Sequence, residues 1–357
     1  MELIMTRLSK RAVTTLSLLY FCAFAEGKDS VVSEWNVSFQ TEGQWNISGG
    51  KAGWVNLLEA GIDLELWDDG GMEVAALSSY ATGTLVVDDV QGYSNLDAGE
   101  DKAFRLMKAG IGHTFDDKFY VFAGLRSMDE DYFNTPITSF FTGSSYGIFP
   151  VVSMEYEVPT FPLSALSLHV EYSPDDNWTV RESLYNGVAS DRLGRQFRFC
   201  PASDGLLNIG SVTYAHEEDD DEMSPVYSLG YILEFGGGEG GVKSSYWANL
   251  EQPVAEIGES VVSVMLQGGY CQRAVEESRG YAAGALLVSD ISKLDFSVGL
   301  AANRAFSVAG ADETDVELMV DVPVWEYVSV QPAVHCVIGD GSCNVVGLLR
   351  VVFEIGG

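Results

Sequence analysis

The stretch WNVSFQTEGQWNI, residues 35–47, decides between two folds. Its odd positions are Trp35, Val37, Phe39, Thr41, Gly43, Trp45 and Ile47, and its even positions are Asn36, Ser38, Gln40, Glu42, Gln44 and Asn46. One face is apolar or small and the other wholly polar, the period of two that marks a strand. Such a strand turns its apolar face to a protein core or to lipid. Trp35 and Trp45 share that face. They stand about 33 Å apart at ~3.3 Å per residue, which a ~45° tilt projects to about 23 Å. That distance approaches the ~25 Å apolar band that aromatic girdles bracket in a membrane barrel. A soluble sandwich uses shorter strands and needs no aromatic residue at both ends, so the length favours lipid.

The same pattern recurs along the chain. About sixteen alternating segments begin near residues 35, 54, 72, 104, 119, 165, 178, 206, 226, 244, 261, 281, 293, 314, 328 and 345, each near the ~9–11 residues that a tilted membrane strand needs. Leu166, Leu168, Val170 and Tyr172 oppose Ser167, His169 and Glu171; Val316, Leu318 and Val320 oppose Glu317 and Asp321. Tyr227, Leu229, Tyr231, Leu233 and Phe235 line one side of another segment. The links alternate as well. DDGG at 68–71, DDK at 116–118, PDDN at 174–177 and DISK at 290–293 are compact turns, whereas long spans lie near 83–103, 127–164 and 186–205. EEDDD at 217–221 is a longer acidic link on the short-turn side. An even strand count with tight turns on one rim and long loops on the other predicts an all-β fold, a transmembrane antiparallel β-barrel.

Composition agrees with this reading. The chain has 357 residues with 38 Gly and 16 Tyr, and its mean hydropathy of +0.08 is what alternation produces when apolar and polar positions cancel. Arg7, Lys10 and Arg11 precede the apolar run AVTTLSLLYFCAFA, which closes on Ala23-Phe24-Ala25. Residues 1–25 therefore read as a secretory signal and 26–357 as the barrel. No later segment has the 18 or more unbroken apolar residues of a membrane helix. Net charge is −32, and removing three basic residues and one acidic residue with the signal makes it about −34. Phosphate binding needs the opposite sign, so nucleic acid is excluded as a partner. The acidity serves solubility, or it favours cations near a pore or divalent-ion bridging to anionic lipid.

Four cysteines remain, Cys200, Cys271, Cys336 and Cys343, and they allow three connectivities. Cys336 and Cys343 flank the short run VIGDGS, which favours a bridge across its neck. None has zinc-ligand spacing. GGGEGGVKSS at 236–245 places Val242 before Lys243-Ser244 and so is not a phosphate loop. HEEDDDE at 216–222 lacks a metalloprotease's second histidine, and no GxSxG occurs. Neither an enzyme, a resident metal nor a cofactor is expected.

Residues 137–187 contain SFFTGSSYGIFP, then PTFPLSAL, then a strand, a turn and YNG. With GWVNLLEAGIDLELWDDGG at 53–71, FRLMKAGIGHTFDDKFYVFAGLRSMDEDYF at 104–133, NLEQPV at 249–254, and VSVQPAVHCVIGDG and GLLRVVFEI near the carboxyl end, this resembles the carbohydrate-selective porin family, the OprB type. The resemblance is strongest over 53–187. It implies a sixteen-stranded bacterial outer-membrane barrel with an inward-folded constriction loop, passing small sugars by diffusion. Its partners would be sugars, outer-membrane lipid and lipopolysaccharide, with a monomer or homotrimer as the assembly. By position in the matched motifs it implies Arg105, Arg126, Asp129 and Glu130 in the constriction, with Phe140, Phe141, Tyr146 and Phe149 on the long loop. Arg181, alternating with Val180 and Leu184, is expected in the lumen, as a wall ion pair or a solute contact. Two departures stand out: Phe353 is followed by Glu-Ile-Gly-Gly, which would place the aromatic assembly signal a few residues inside the end, and the strongly acidic chain holds few arginines in its later strands, which leaves the sugar class open. The alternative is a general-diffusion, structural or adhesive barrel without sugar preference.

Overall fold

The structure, a computed structural model, describes residues 31–83, 86–87, 93–96, 102–190, 192–216, 224–236, 242–272, 274, 278–291, 295–308, 310 and 312–357. The expected signal at 1–25 and the acidic link at 217–221 lie outside the described residues.

Sixteen strands follow one another among the described residues: β1 (Val32–Asn46), β2 (Ala52–Trp67), β3 (Gly70–Thr82), β4 (Lys102–Phe115), β5 (Phe119–Arg126), β6 (Ala165–Asp175), β7 (Trp178–Asn186), β8 (Leu206–Ala215), β9 (Val226–Phe235), β10 (Lys243–Ile257), β11 (Ser260–Gln272), β12 (Ser278–Ile291), β13 (Phe296–Ser307), β14 (Glu313–Trp325), β15 (Val328–Gly339) and β16 (Ser342–Gly356). Each pairs antiparallel with its neighbours, and β16 returns to β1 from Asn36 opposite Gly356 to Asn46 opposite Val346. Closure leaves no strand edge, so the backbone polar groups of every strand find partners within the sheet. Tight turns gather at one rim. Asp116 and Asp117, between β4 and β5, take left-handed φ values of 53° and 56°, the primed geometry that matches the strand twist and that aspartate tolerates.

The two faces of the wall answer the question posed by residues 35–47. Ser38, Glu42, Gln44 and Asn46 of β1 are buried, while Phe39, Trp45 and Ile47 are 39%, 56% and 50% exposed. In β14, Glu317 is fully buried beside Leu318, which is 50% exposed. Polar side chains inward and apolar ones outward invert a soluble protein, and only a hydrocarbon surround makes that stable. Trp67, Trp178 and Trp325 are exposed at the tight-turn rim, and Trp45, Trp54 and Phe306 at the other, which forms the two aromatic girdles. Glu182 is an acid on the outer face, where Asn208 and Tyr231 donate hydrogen bonds to it.

The span 127–164 turns inward instead of leaving the barrel. It carries α1 (Asp129–Tyr132), α2 (Pro136–Phe140), α3 (Ser144–Gly147) and α4 (Pro150–Ser153); α5 (Pro201–Asp204) lies in the link before β8. Proline opens α2 and α4 at positions where no backbone donor is needed, and Thr135 caps α2 reciprocally with Thr138. Met128, Phe133, Phe149, Val151 and Val152 pack against Leu207, Ile209, Ile232 and Trp247 of the wall. Phe141 and Tyr146 pack against Met265, Leu287 and Met319. Beneath the loop, therefore, the lumenal face is apolar. A uniformly polar lumen follows from alternation only where water reaches the wall. Gly299 makes the approach possible, since a Cβ there would stand 2.8 Å from the Phe141 ring.

The expected Cys336–Cys343 bridge is not formed. The Sγ atoms lie 3.1 Å apart as free thiols, and Cys200 and Cys271 are free as well. Register explains the arrangement: Cys336 faces Val345 and Cys343 faces Ile338, so the two cysteines are diagonal rather than opposed.

Candidate functional site

The inward loop is fastened by wall carboxylates that accept from its amides. Glu251 on β10 accepts from the backbone N–H groups of Ile137 (2.9 Å) and Thr138 (3.2 Å). Glu317 on β14 accepts from the N–H groups of Thr142 (2.8 Å) and Gly143 (3.1 Å), and from the Thr142 hydroxyl at 2.7 Å. His335 lies 3.0 Å from Asp315 and 2.9 Å from Thr142 Oγ1. Asp315, Glu317 and His335 bring ligand-type atoms within 4.8 Å of one another, but their hydrogen bonds make them a latch on Thr142. Further along, Gln267 donates to the Tyr146 carbonyl at 2.8 Å, Tyr281 to the Ser145 carbonyl at 2.6 Å, and Ser245 to the Val151 carbonyl at 2.7 Å. A buried carboxylate is tolerated when such donors surround it, and each bond made here also fixes a point of the loop.

Between the fastened loop and the wall strands β1, β2, β15 and β16 lies a cavity of about 910 Å³. Its charged lining consists of Glu59, Asp129, Glu130, Arg350 and Glu354; Gln40, Asn95 and Gln331 add amides, and Tyr93, Phe133 and Phe161 add aromatic rings. Glu130 lies 2.8 Å from Lys108, which also approaches Glu73 at 3.5 Å. Arg350 donates to Glu42 at 2.7–2.8 Å and to Asn95 at 2.7 Å. Asp129 accepts from the Phe161 N–H and, at 3.1 Å, from the Ser127 hydroxyl. Burial pushes its carboxyl up to about 7, further raised by Glu130 and Glu59, against the lowering effect of those hydrogen bonds.

Of the residues named from sequence, Asp129 and Glu130 border the cavity and the other seven do not. Arg105 is buried on β4 and donates to the Phe104 carbonyl at 3.2 Å. Arg126 is clamped by two hydrogen bonds to Asp131, at 2.5 and 2.6 Å, and lies over the Phe122 ring. Burial opposes ionisation of Asp131, yet this clamp holds its carboxyl below the usual range. Phe141, Tyr146 and Phe149 are buried against the wall, with Phe149 stacked on Tyr281 at 5.3 Å, and Phe140 packs edge-on to Phe141. These aromatic residues anchor the loop; the rings bordering the cavity belong to Tyr93, Phe133 and Phe161. Arg181 pairs with Glu171 at 2.6 Å as a wall ion pair. Glu59, Arg350 and Glu354 went unrecognised. Alternation places each on the inward face, but only the path of the loop shows which stretch of wall stays open.

The sequence matches the carbohydrate-selective porin, OprB family, over residues 58–255, more than half of the chain. No curated protein matches it. Among solved structures it is similar to the high-pH structure of Pseudomonas putida OprB, with a TM-score of 0.76 at 15% identity, covering 90% of this chain and 94% of that one. It is also similar to the low-pH structure of that porin (TM-score 0.62, 14% identity, 90% and 92% covered). A third is an anion-selective porin from Comamonas acidovorans (TM-score 0.58, 11% identity, 91% and 99% covered). The family match and the closed sixteen-stranded barrel converge, and the chain belongs to the carbohydrate-selective porin, OprB family.

Proposed function

We propose that the protein is a passive channel of the bacterial outer membrane that prefers small sugars. The observation that carries this reading is the cavity of about 910 Å³ held between the fastened loop and the wall, where amides, carboxylates and aromatic rings border one space. A sugar presents hydroxyls at its edge and C–H groups on its ring faces, and these two kinds of surface meet both. The groups are spread around the cavity rather than gathered in a deep pocket, as conduction requires weak, exchangeable contacts. The outward apolar band supports contact with outer-membrane lipid, and the outer rim would meet lipopolysaccharide. Residues 1–25 would serve as the export signal.

Swelling of proteoliposomes in a panel of mono- and disaccharides tests the proposal. Sugars are expected to enter faster than non-sugar polyols of similar size. Rates ordered by size alone would replace sugar preference with general diffusion, and bilayer insertion without any conductance would end the channel reading.

A further inference from the structure

We infer that the channel selects for positively charged sugars, protonated amino sugars above all, over neutral sugars and against anionic ones. This deepens the sugar-channel reading and rests on it.

The charge around the cavity is one-sided. Glu59, Asp129, Glu130 and Glu354 border it against the single cation Arg350. Arg350 is spent, since its guanidinium is buried and bonded to Glu42 and Asn95. Outside the lining, Lys108 lies between Glu130 and Glu73, and Arg126 is clamped by Asp131. Glu59 and Glu354 form no ion pair among the described residues. Asp129 also borders the cavity, although its carboxylate already accepts from the Phe161 N–H and the Ser127 hydroxyl. An ammonium group offers three donors and a positive charge, the complement of the Glu59 and Glu354 carboxylates that border the cavity.

Carboxylates lining a channel with low-dielectric walls concentrate cations and repel anions. A bare metal ion would leave most of the 910 Å³ and the rings of Tyr93, Phe133 and Phe161 unused. A hexosamine uses all three features: its ammonium for the carboxylates, its hydroxyls for Gln40 and Gln331, and its C–H face for the rings. The net charge of −32 extends the same preference to the approach from solution.

The full protein in phosphatidylcholine liposomes provides the test. Initial uptake of radiolabelled glucosamine, glucose and glucose 6-phosphate is measured at equal trace concentration and neutral pH, in potassium chloride so that charge movement is balanced. Glucosamine is expected to enter about two- to fivefold faster than glucose, as exposed ion pairs allow, with glucose 6-phosphate slowest. In planar bilayers a potassium chloride gradient is expected to give a zero-current potential of the sign for a cation-preferring pore. The double substitution Glu59→Gln with Glu354→Gln is expected to bring the glucosamine-to-glucose ratio towards one. Equal glucosamine and glucose uptake by the unaltered protein overturns the inference without help from any variant, as does a chloride-preferring potential. Glucose entry without glucosamine preference sinks this inference alone, whereas entry of no sugar sinks the channel reading as well.

Discussion

Asp129 shows how much one side chain inside the lumen depends on its surroundings. Its carboxyl is pushed up to about 7, first by burial and then by the neighbouring Glu130 and Glu59. The sign follows directly: below that value the group is neutral, and above it one more negative charge borders the cavity. Potassium-over-chloride permeability is therefore expected to rise as pH increases through about 7, read from zero-current potentials in planar bilayers. Asp129→Asn keeps an oxygen for the Phe161 N–H and the Ser127 hydroxyl and is expected to flatten that rise; an unchanged pH profile would move the titration to another group. Arg126 teaches the opposite lesson. Its position at the start of the long span made it a reasonable solute contact, but two nitrogens of its fork donate to Asp131. Its charge and position were readable from sequence, while the acid five residues on took its Nε and one terminal nitrogen and left the other buried 3.7 Å from Glu73.

The inward span is an element without regular structure of its own, only helices of four or five residues. Helices so short are not stable alone, so their order comes from the wall. Glu251 and Glu317 each bind two consecutive backbone amides, and buried amides left without acceptors cost about 1–3 kcal/mol each. Replacing both glutamates by alanine is expected to free the loop while leaving the sheet closed. The readout is single-channel conductance, which should rise and become noisier, together with loss of discrimination among sugars. A conductance equal to that of the unaltered protein would show that packing of Phe141, Tyr146 and Phe149 suffices to hold the span. The motif SFFTGSSYGIFP was legible as part of a constriction loop, but sequence left open whether Phe140 and Phe141 line the solute path or pin the loop to the wall. A phenylalanine serves either purpose equally well in sequence, and only Gly299 and Tyr281 across the lumen show which one operates here.

The whole molecule is a tube whose polarity is reversed and whose ends are joined strand to strand. Opening it in a membrane would expose two unpaired edges to hydrocarbon, so unfolding is all-or-none and slow. Heat-modifiable migration is the expected consequence: unboiled protein in dodecyl sulfate should run as a compact species and shift on boiling, and one mobility under both conditions would contradict a closed barrel. Strand positions were legible almost throughout because lipid outside and water inside write a period of two into every strand. The segment expected near 35 is β1, and the one expected near 293 begins at Phe296. Where the lumenal face is apolar, as at Ile209, Ile232 and Met319, the pattern weakens because the loop replaces water as the neighbour. Sequence by itself thus determined the barrel, its strand count, its tight-turn rim and its excess of acid, since each follows from local alternation, turn chemistry or composition. Tertiary structure decided which wall residues remain open to a solute, which cations are already neutralised and which rings anchor the loop, because those outcomes depend on contacts between residues far apart in the chain.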